Sequence, residues 1–136
     1  MRKLLLMIVT ITVFGSGIVS AHHSNAIFDL EKLVLLRGTV ISFTNLNPHA
    51  WISVNASADG GSEIARWDVE STAPQMLAAM GISPQTLSAG DSVTIGIRPM
   101  HDGRNGGSMV FLITPDGIPH GADPAALGLD LENLKP

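Results

Sequence analysis

Short runs of apolar residues, several of them alternating with polar ones, cover most of the chain beyond residue 32. Five of these runs are predicted to be β-strands, at residues 33–43, 50–54, 64–69, 92–98 and 109–114. Within the first run, Gly38 interrupts a stretch of β-branched and aliphatic side chains, which indicates a long strand that bends. The Asp59-Gly60-Gly61 turn signal predicts that the second and third strands form a hairpin.

One helix is predicted between the third and fourth strands. A hydroxyl residue caps it, Pro74 fits its first turn, residues 76–80 supply an apolar stripe, and Gly81 ends it. Three strands, a helix and two strands match the order of the OB-fold. We therefore predict a mainly β protein: a small five-stranded OB-like Greek-key barrel with one short helix between strands 3 and 4. A generic β-sandwich is the alternative.

The first 21 residues have the pattern of a secretory signal peptide. Arg2 and Lys3 precede the apolar run 4–13, and small residues lead to a cut after Ala21. A retained membrane anchor is the alternative, but this run is shorter than the roughly 20 residues of a spanning helix. We therefore expect a periplasmic or secreted protein with no membrane span in its mature form.

The remaining chain is long enough for one compact domain. We expect residues 22–32 to form an N-terminal arm and residues 33–114 to form the OB-like β-barrel domain. Residues 115–136 are rich in proline and glycine and poor in large hydrophobic side chains, which predicts a flexible C-terminal tail.

Charge and cysteine content exclude several classes of function. The formal net charge is −4, and loss of Arg2 and Lys3 with the leader makes it more negative. Such a surface repels phosphate backbones, so we expect no nucleic-acid partner. The chain has no cysteine, which excludes thiolate ligands and nucleophiles. No catalytic motif is present either, and we do not expect an enzyme.

Four of the five histidines fall at the predicted mature terminus or in predicted loops: His22, His23, His49 and His101. Cleavage after Ala21 would give His22 a free α-amine, which with its imidazole and a second imidazole forms a histidine brace. Alternatively, His23 binds Cu(II) together with the amine and a backbone nitrogen. Cu(II) favours such nitrogen sites, so copper is the expected metal. The competing interpretation of these histidines is that they are solvated or cap turns.

Methionine and tryptophan give weaker signals. Met100, between Pro99 and His101, is a candidate thioether ligand, whereas Met109 lies in a strand and is expected to fill the core. Trp51 and Trp67 lie on neighbouring predicted strands, where they could pair across the hairpin. With few aromatic residues available for the core, we expect both to be buried.

Several segments resemble a widespread family of small secreted bacterial proteins of unknown function. They are Ala21-His22-His23-Ser24, Phe28-Asp29, Arg37-Gly38-Thr39-Val40, Asn47-Pro48-His49-Ala50-Trp51 and Leu87-Ser88-Ala89-Gly90-Asp91-Ser92-Val93. The NPH-x-W element is the most specific. The resemblance implies an extracytoplasmic single domain and no particular activity. In composition and fold the chain is also similar to the periplasmic copper chaperone of silver and copper efflux systems, which implies His49, Trp51, Met100 and Met109 as counterparts of its copper site.

These observations lead to one hypothesis and one rival. The hypothesis is a non-enzymatic, periplasmic or secreted binding module that carries or buffers copper through His22, His23, His49 and His101, with Met100 as a further candidate ligand. The rival is a metal-free envelope interaction domain that binds a protein or small ligand through Trp51 and the NPH turn. An enzyme in which a copper brace activates oxygen ranks third.

Overall fold

A computed structural model describes residues 27–136. The predicted leader 1–21 and the candidate ligands His22 and His23 lie outside the described residues. The elements, in chain order, are β1 (Val34–Thr44), β2 (Trp51–Ala58), β3 (Ala65–Glu70), α1 (Pro74–Ala79), β4 (Ser92–Pro99), β5 (Gly106–Ile113) and β6 (Pro119–Gly121), followed by short 3-10 helices at Ala125–Leu127 and Leu131–Leu134.

The first five strands close into a barrel. β1 pairs antiparallel with both β2 and β4, β2 continues to β3, and β4 continues to β5. A parallel pairing of β3 with β5, from Asp68↔Gly106 to Glu70↔Ser108, closes the ring. With α1 lying between β3 and β4 along the chain, this topology confirms the predicted OB-like barrel and excludes the open sandwich.

Gly38 allows β1 to pair with two strands at once. It pairs with Ala56 of β2 on one side and with Val93 of β4 on the other. A Cβ atom at this position would lie 2.0 Å from the backbone oxygen of Asn55, so only glycine permits this approach of the two strands. Further along β1, a bulge between Val40 and Ser42 shifts the register against β2.

Inward-facing side chains of all five barrel strands form one apolar core. Its fully buried members include Leu36, Ile52, Val54, Val69, Ile95, Ile97 and Leu112. The helix contributes Leu77, and its first turn begins at Pro74 as the sequence predicts. The predicted hydroxyl cap is wrong, because the N-cap residue is Ala73 and makes no side-chain capping bond.

The C-terminal segment differs from the expected flexible tail. β6 pairs with β5, and Leu134 is 2% exposed in a second apolar cluster with Phe111 and Ile113. This cluster lies on the outward side of the barrel, since Leu112 between Phe111 and Ile113 belongs to the inner core. The physical reason for the difference is that these outward strand residues are too apolar to face water, so residues 119–134 cover them.

Within residues 27–136, no helix has the length and apolar character needed to span a membrane.

If the C-terminal segment is packed on the barrel, truncating its buried anchor must cost stability. We expect Leu134→Ala to lower the free energy of unfolding by about 2–4 kcal/mol, because it empties a filled apolar site. The matched control, Leu127→Ala, removes a side chain that is 36% exposed and should cost less than about 1 kcal/mol. Urea unfolding followed by circular dichroism measures both. Equal, small effects would contradict the packed arrangement.

Candidate functional site

A polar cleft of about 190 Å³ lies where the N-terminal arm meets the ends of β3 and β5. Its lining combines one aromatic ring, one imidazole, one carboxylate, hydroxyls and one thioether: Phe28, His49, Glu70, Ser71, Thr72, Ser108 and Met109. It contains His49, a predicted ligand whose ring contacts a largely buried carboxylate, and we take it as the candidate functional site.

The NPH turn places His49 in this cleft. The Asn47–Pro48 peptide is cis, and it brings the chain back toward the barrel immediately before β2. Ala50, which is fully buried, continues the β2–β3 ladder beyond the strand ends: its N–H donates to the Thr72 carbonyl at 3.1 Å, and its carbonyl accepts from the Ser71 N–H at 2.8 Å. His49 is therefore fixed by backbone bonds next to the end of β3.

A carboxylate orients the His49 ring. Nδ1 of His49 contacts Oε1 of Glu70, whose side chain is only 14% exposed, while the His49 side chain is 40% exposed. A carboxylate oxygen accepts hydrogen bonds, which makes Nδ1 the donor of this contact. In the neutral ring with its proton on Nδ1, the other ring nitrogen, Nε2, carries the lone pair. This tautomer leaves one nitrogen ready to bind an electrophile or a metal ion.

The N-terminal arm runs beside the same cleft. Phe28 is 3% exposed and forms an isolated antiparallel bridge with Met100. On either side of it, the Asp29 N–H donates to the Pro99 carbonyl at 2.8 Å, and the His101 N–H donates to the Ile27 carbonyl at 2.9 Å. The arm is thus held against the loop between β4 and β5, and the chain that precedes it starts from this end of the barrel.

The predicted ligands therefore have different positions. His49 lines the cleft, and His101 is exposed and meets the arm through its backbone. Met100 is absent from the cleft lining; its sulfur lies 3.2 Å from where a Cβ on Gly106 would be. Within residues 27–136, no group of three or more His, Cys, Asp or Glu side chains is arranged to hold a metal ion. The described residues thus provide one oriented imidazole rather than a complete metal centre.

Among the polar members of the cleft, sequence reasoning missed Glu70, and it named Met109 only as a counterpart implied by resemblance. Glu70 is not among the residues predicted for the site, yet its side chain is only 14% exposed and contacts His49. Met109 packs against the inner core, as expected, but it also lines the cleft, where the Ser71 hydroxyl donates to its sulfur at 3.7 Å. The register of β3 against β5 would reveal both residues, because Glu70 pairs with Ser108 where the barrel closes and Met109 follows Ser108 in the chain.

The prediction that both tryptophans are buried is wrong for Trp51. Trp51 is 41% exposed, whereas Trp67 is partly buried and packs against the inner core. They do not pair across the hairpin: Trp51 is opposite Glu70, and Trp67 is opposite Val54. Their difference follows from strand alternation, since Trp51 shares the outward face with Ser53 while Trp67 points inward.

Next to Trp51, three polar side chains form a connected group on the outward face of β2 and β3. The Ser53 hydroxyl donates to Asp68 Oδ1 at 2.5 Å, and Arg66 Nη2 donates to Ser53 Oγ at 3.3 Å and to Asp68 Oδ1 at 3.2 Å. The Ser53 hydrogen bond is the largest influence that holds the pKa of Asp68 below its ordinary value, with a smaller contribution from Arg66. Asp68 is therefore ionised at neutral pH.

Comparison with known proteins gives one match. A family model described as a family of unknown function (DUF6152) matches residues 11–109, which include β1 to β4 and all the residues that line the cleft. No curated protein and no solved structure gives a significant match to the chain.

The Ser53–Asp68 bond predicts a specific acid response. In Ser53→Ala we expect the Asp68 pKa to rise toward its ordinary value of 3.8, measured by carboxyl chemical shifts in an NMR titration. Because the folded-state pKa is lowered, its contribution to stability is present above the unfolded-state pKa and is lost as pH falls through the folded-state value. The stability difference between wild type and Ser53→Ala should therefore be larger at pH 7 than at pH 2.

Ser42→Ala provides the control for this titration, because Ser42 is an exposed serine paired with Ser53 across β1 and β2. It should leave the Asp68 titration unchanged. An identical Asp68 pKa in wild type and Ser53→Ala would refute the assignment of the shift to this bond.

Proposed function

Since the chain belongs to the family of unknown function DUF6152, we propose a function from its own chemistry: it is a periplasmic or secreted module that binds and buffers copper. His49 is the central ligand, and the histidines of the mature N-terminus complete the site. The observation that carries this proposal is the His49–Glu70 contact, which orients an imidazole in a cleft shared with the N-terminal arm.

The His49–Glu70 pair has the form of a metal ligand with its supporting partner. Metal-binding histidines usually donate their second ring N–H to a carboxylate or carbonyl, which fixes the tautomer and makes the ligating nitrogen more basic. Here Glu70 takes that supporting position through Nδ1, and Nε2 is the nitrogen offered to the ion. The buried carboxylate also offsets the positive charge that a bound cation brings into the cleft.

The chain length between the arm and the N-terminal histidines allows them to reach this cleft. His23 precedes Phe28 by five residues, which span at most about 17 Å when fully extended. Cleavage of the leader after Ala21 gives His22 a free amine and an imidazole, and His49 supplies a third nitrogen. His101, which adjoins Ile27 at the base of the arm, is a further candidate ligand.

The donor set favours copper over other divalent ions. Imidazole and amine nitrogens bind Cu(II) more tightly than any other divalent first-row metal, and the absence of cysteine removes the thiolates typical of structural zinc sites. The thioether of Met109 in the same cleft, with Met100 nearby on the adjacent loop, is a soft donor suited to Cu(I). We therefore propose copper as the cargo rather than zinc.

One observation favours a second candidate function. Trp51 is 41% exposed beside the NPH turn, and tryptophan is a residue type enriched at binding interfaces because its indole combines a large apolar area with an N–H donor. A module that binds an envelope partner or a small ligand through this surface would keep Trp51 and would not depend on the histidines.

Copper titration of the mature protein, beginning at His22, tests the first proposal. Isothermal titration with Cu(II) against a competing chelator should give a dissociation constant well below that of free histidine. We expect His49→Ala to weaken binding by more than about tenfold, and Glu70→Gln to weaken it by about tenfold, because the latter loses only the orienting carboxylate. His120→Ala, a histidine outside the cleft, should change the affinity by less than about twofold.

A form that keeps Ala21 as its first residue separates the contribution of the N-terminus. If His22 and its amine bind the metal, this extension should weaken binding and change the nitrogen hyperfine pattern of the Cu(II) electron paramagnetic resonance spectrum. Circular dichroism confirms that each variant is folded. An affinity for Cu(II) no better than that of free histidine, or one that His49→Ala leaves unchanged, would contradict the proposal.

A further inference from the structure

The outward surface of the barrel has two halves of different character. On one half, the C-terminal segment covers apolar residues of β5 and the start of β1, including Phe111, Ile113 and Leu35. On the other half, the outward residues of β2, β3 and the end of β1 carry no such cover, and Trp51 and Asp68 remain substantially exposed. Trp51 is therefore not an exposed part of the second apolar cluster, because its neighbours on the surface are polar.

The strand register defines what surrounds Trp51. One row across the three strands consists of Thr44, Trp51 and Glu70, and the next row consists of Ser42, Ser53 and Asp68. Neighbouring strands are about 4.8 Å apart and alternate residues on one strand about 6.8 Å apart. The two rows thus cover roughly 10 by 7 Å, an area that matches one or two pyranose rings, with an aromatic ring in the middle of one row.

The polar groups of this surface are held in place before any ligand arrives. Ser53 is 8% exposed and its hydroxyl is bound to Asp68, while Arg66 bonds to both. The Asp68 and Arg66 side chains are nevertheless 50% and 61% exposed, so a ligand can reach a carboxylate that accepts and a guanidinium that donates. Pre-positioned donors and acceptors reduce the entropy lost on binding.

The charges of the surface select against anionic ligands. Arg66 offsets Asp68, and Glu70 is engaged with His49, so the surface has no excess of positive charge to hold a phosphate or sulfate. A tryptophan flanked by a hydroxyl, a carboxylate and a guanidinium instead matches a neutral polyol that has an apolar ring face and hydroxyls at its rim.

Peptide binding fits this surface less well. β2 is paired on both sides by β1 and β3, and β3 is paired on both sides by β2 and β5. β5 pairs only with Asp68–Glu70 of β3, so an extended peptide would find no free edge on β2 and only the short edge Ala65–Trp67 on β3. A single exposed aromatic residue among polar groups also lacks the apolar groove that an amphipathic helix requires.

We infer that the outward face of β2 and β3 is a binding site for a neutral saccharide, which stacks on Trp51 and hydrogen-bonds to Asp68 and Arg66. The site lies on the opposite side of the strands from the core, and its principal residues are distinct from the cleft ligand His49. The test of saccharide binding is therefore separate from the test of copper binding.

NMR titration of the metal-free mature protein with neutral tetrasaccharides tests the inference. The probes are β-1,4-linked glucose, β-1,4-linked N-acetylglucosamine and α-1,4-linked glucose. At least one should shift the indole N–H resonance of Trp51 in a saturable manner while shifting that of Trp67 much less, because Trp67 points into the barrel. Trp51→Ala should reduce the affinity by about tenfold or more, and Trp51→Phe should retain part of it.

Two further variants separate the explanations. Ile118→Ala removes an equally exposed apolar side chain outside this face and should bind like the wild type. His49→Ala should also bind saccharide normally, so that failure of the copper proposal does not affect this result. No saturable shift at 10 mM of any probe, a response that persists in Trp51→Ala, or saturable binding of a peptide library in its place would overturn the inference.

Discussion

The closure of the barrel is the constraint on which the rest of this structure depends. β1 must pair with β2 and β4 together, and the close approach of Gly38 to the Asn55 carbonyl makes this possible. Once the ring is closed, the end of β3 is held beside β5, which pairs Glu70 with Ser108. The candidate cleft is a consequence of this closure, since its carboxylate, hydroxyls and thioether come from strands that meet only there.

Closure also decides which parts of the outer surface need a cover. A closed barrel has one interior, so any second set of apolar strand residues must find burial outside it. β5 and the start of β1 carry such a set, and the C-terminal segment buries it with Leu134 and its neighbours. β2 and β3 have polar residues at the equivalent outward positions, apart from Trp51, and need no cover. The two halves of the surface therefore differ in cover because their outward strand residues differ in polarity.

Much of this architecture can be predicted from the sequence, and the failures have physical causes. Alternating runs, turn signals and Pro74 predict the strands and helix in the right order. The packed C-terminal segment was missed because its prolines and glycines are typical of a tail. The unbroken apolar runs 33–36 and 109–113 did carry a signal, since strands without alternation are usually buried on both faces.

The site was harder to predict because its contacts depend on register. His49 was identified from its loop position, but its partner Glu70 is fixed by pairings between strands that are distant in the chain. For Trp51, the predicted pairing with Trp67 and the predicted burial are both wrong, because the register places the two rings on opposite faces of the strands and composition does not show which ring points inward. Glu70 belongs to both surfaces, because the strand register places it opposite Trp51 and its carboxylate contacts His49. A cation on Nε2 would leave the Nδ1 contact in place, so metal in the cleft and a neutral ligand on the face are chemically compatible.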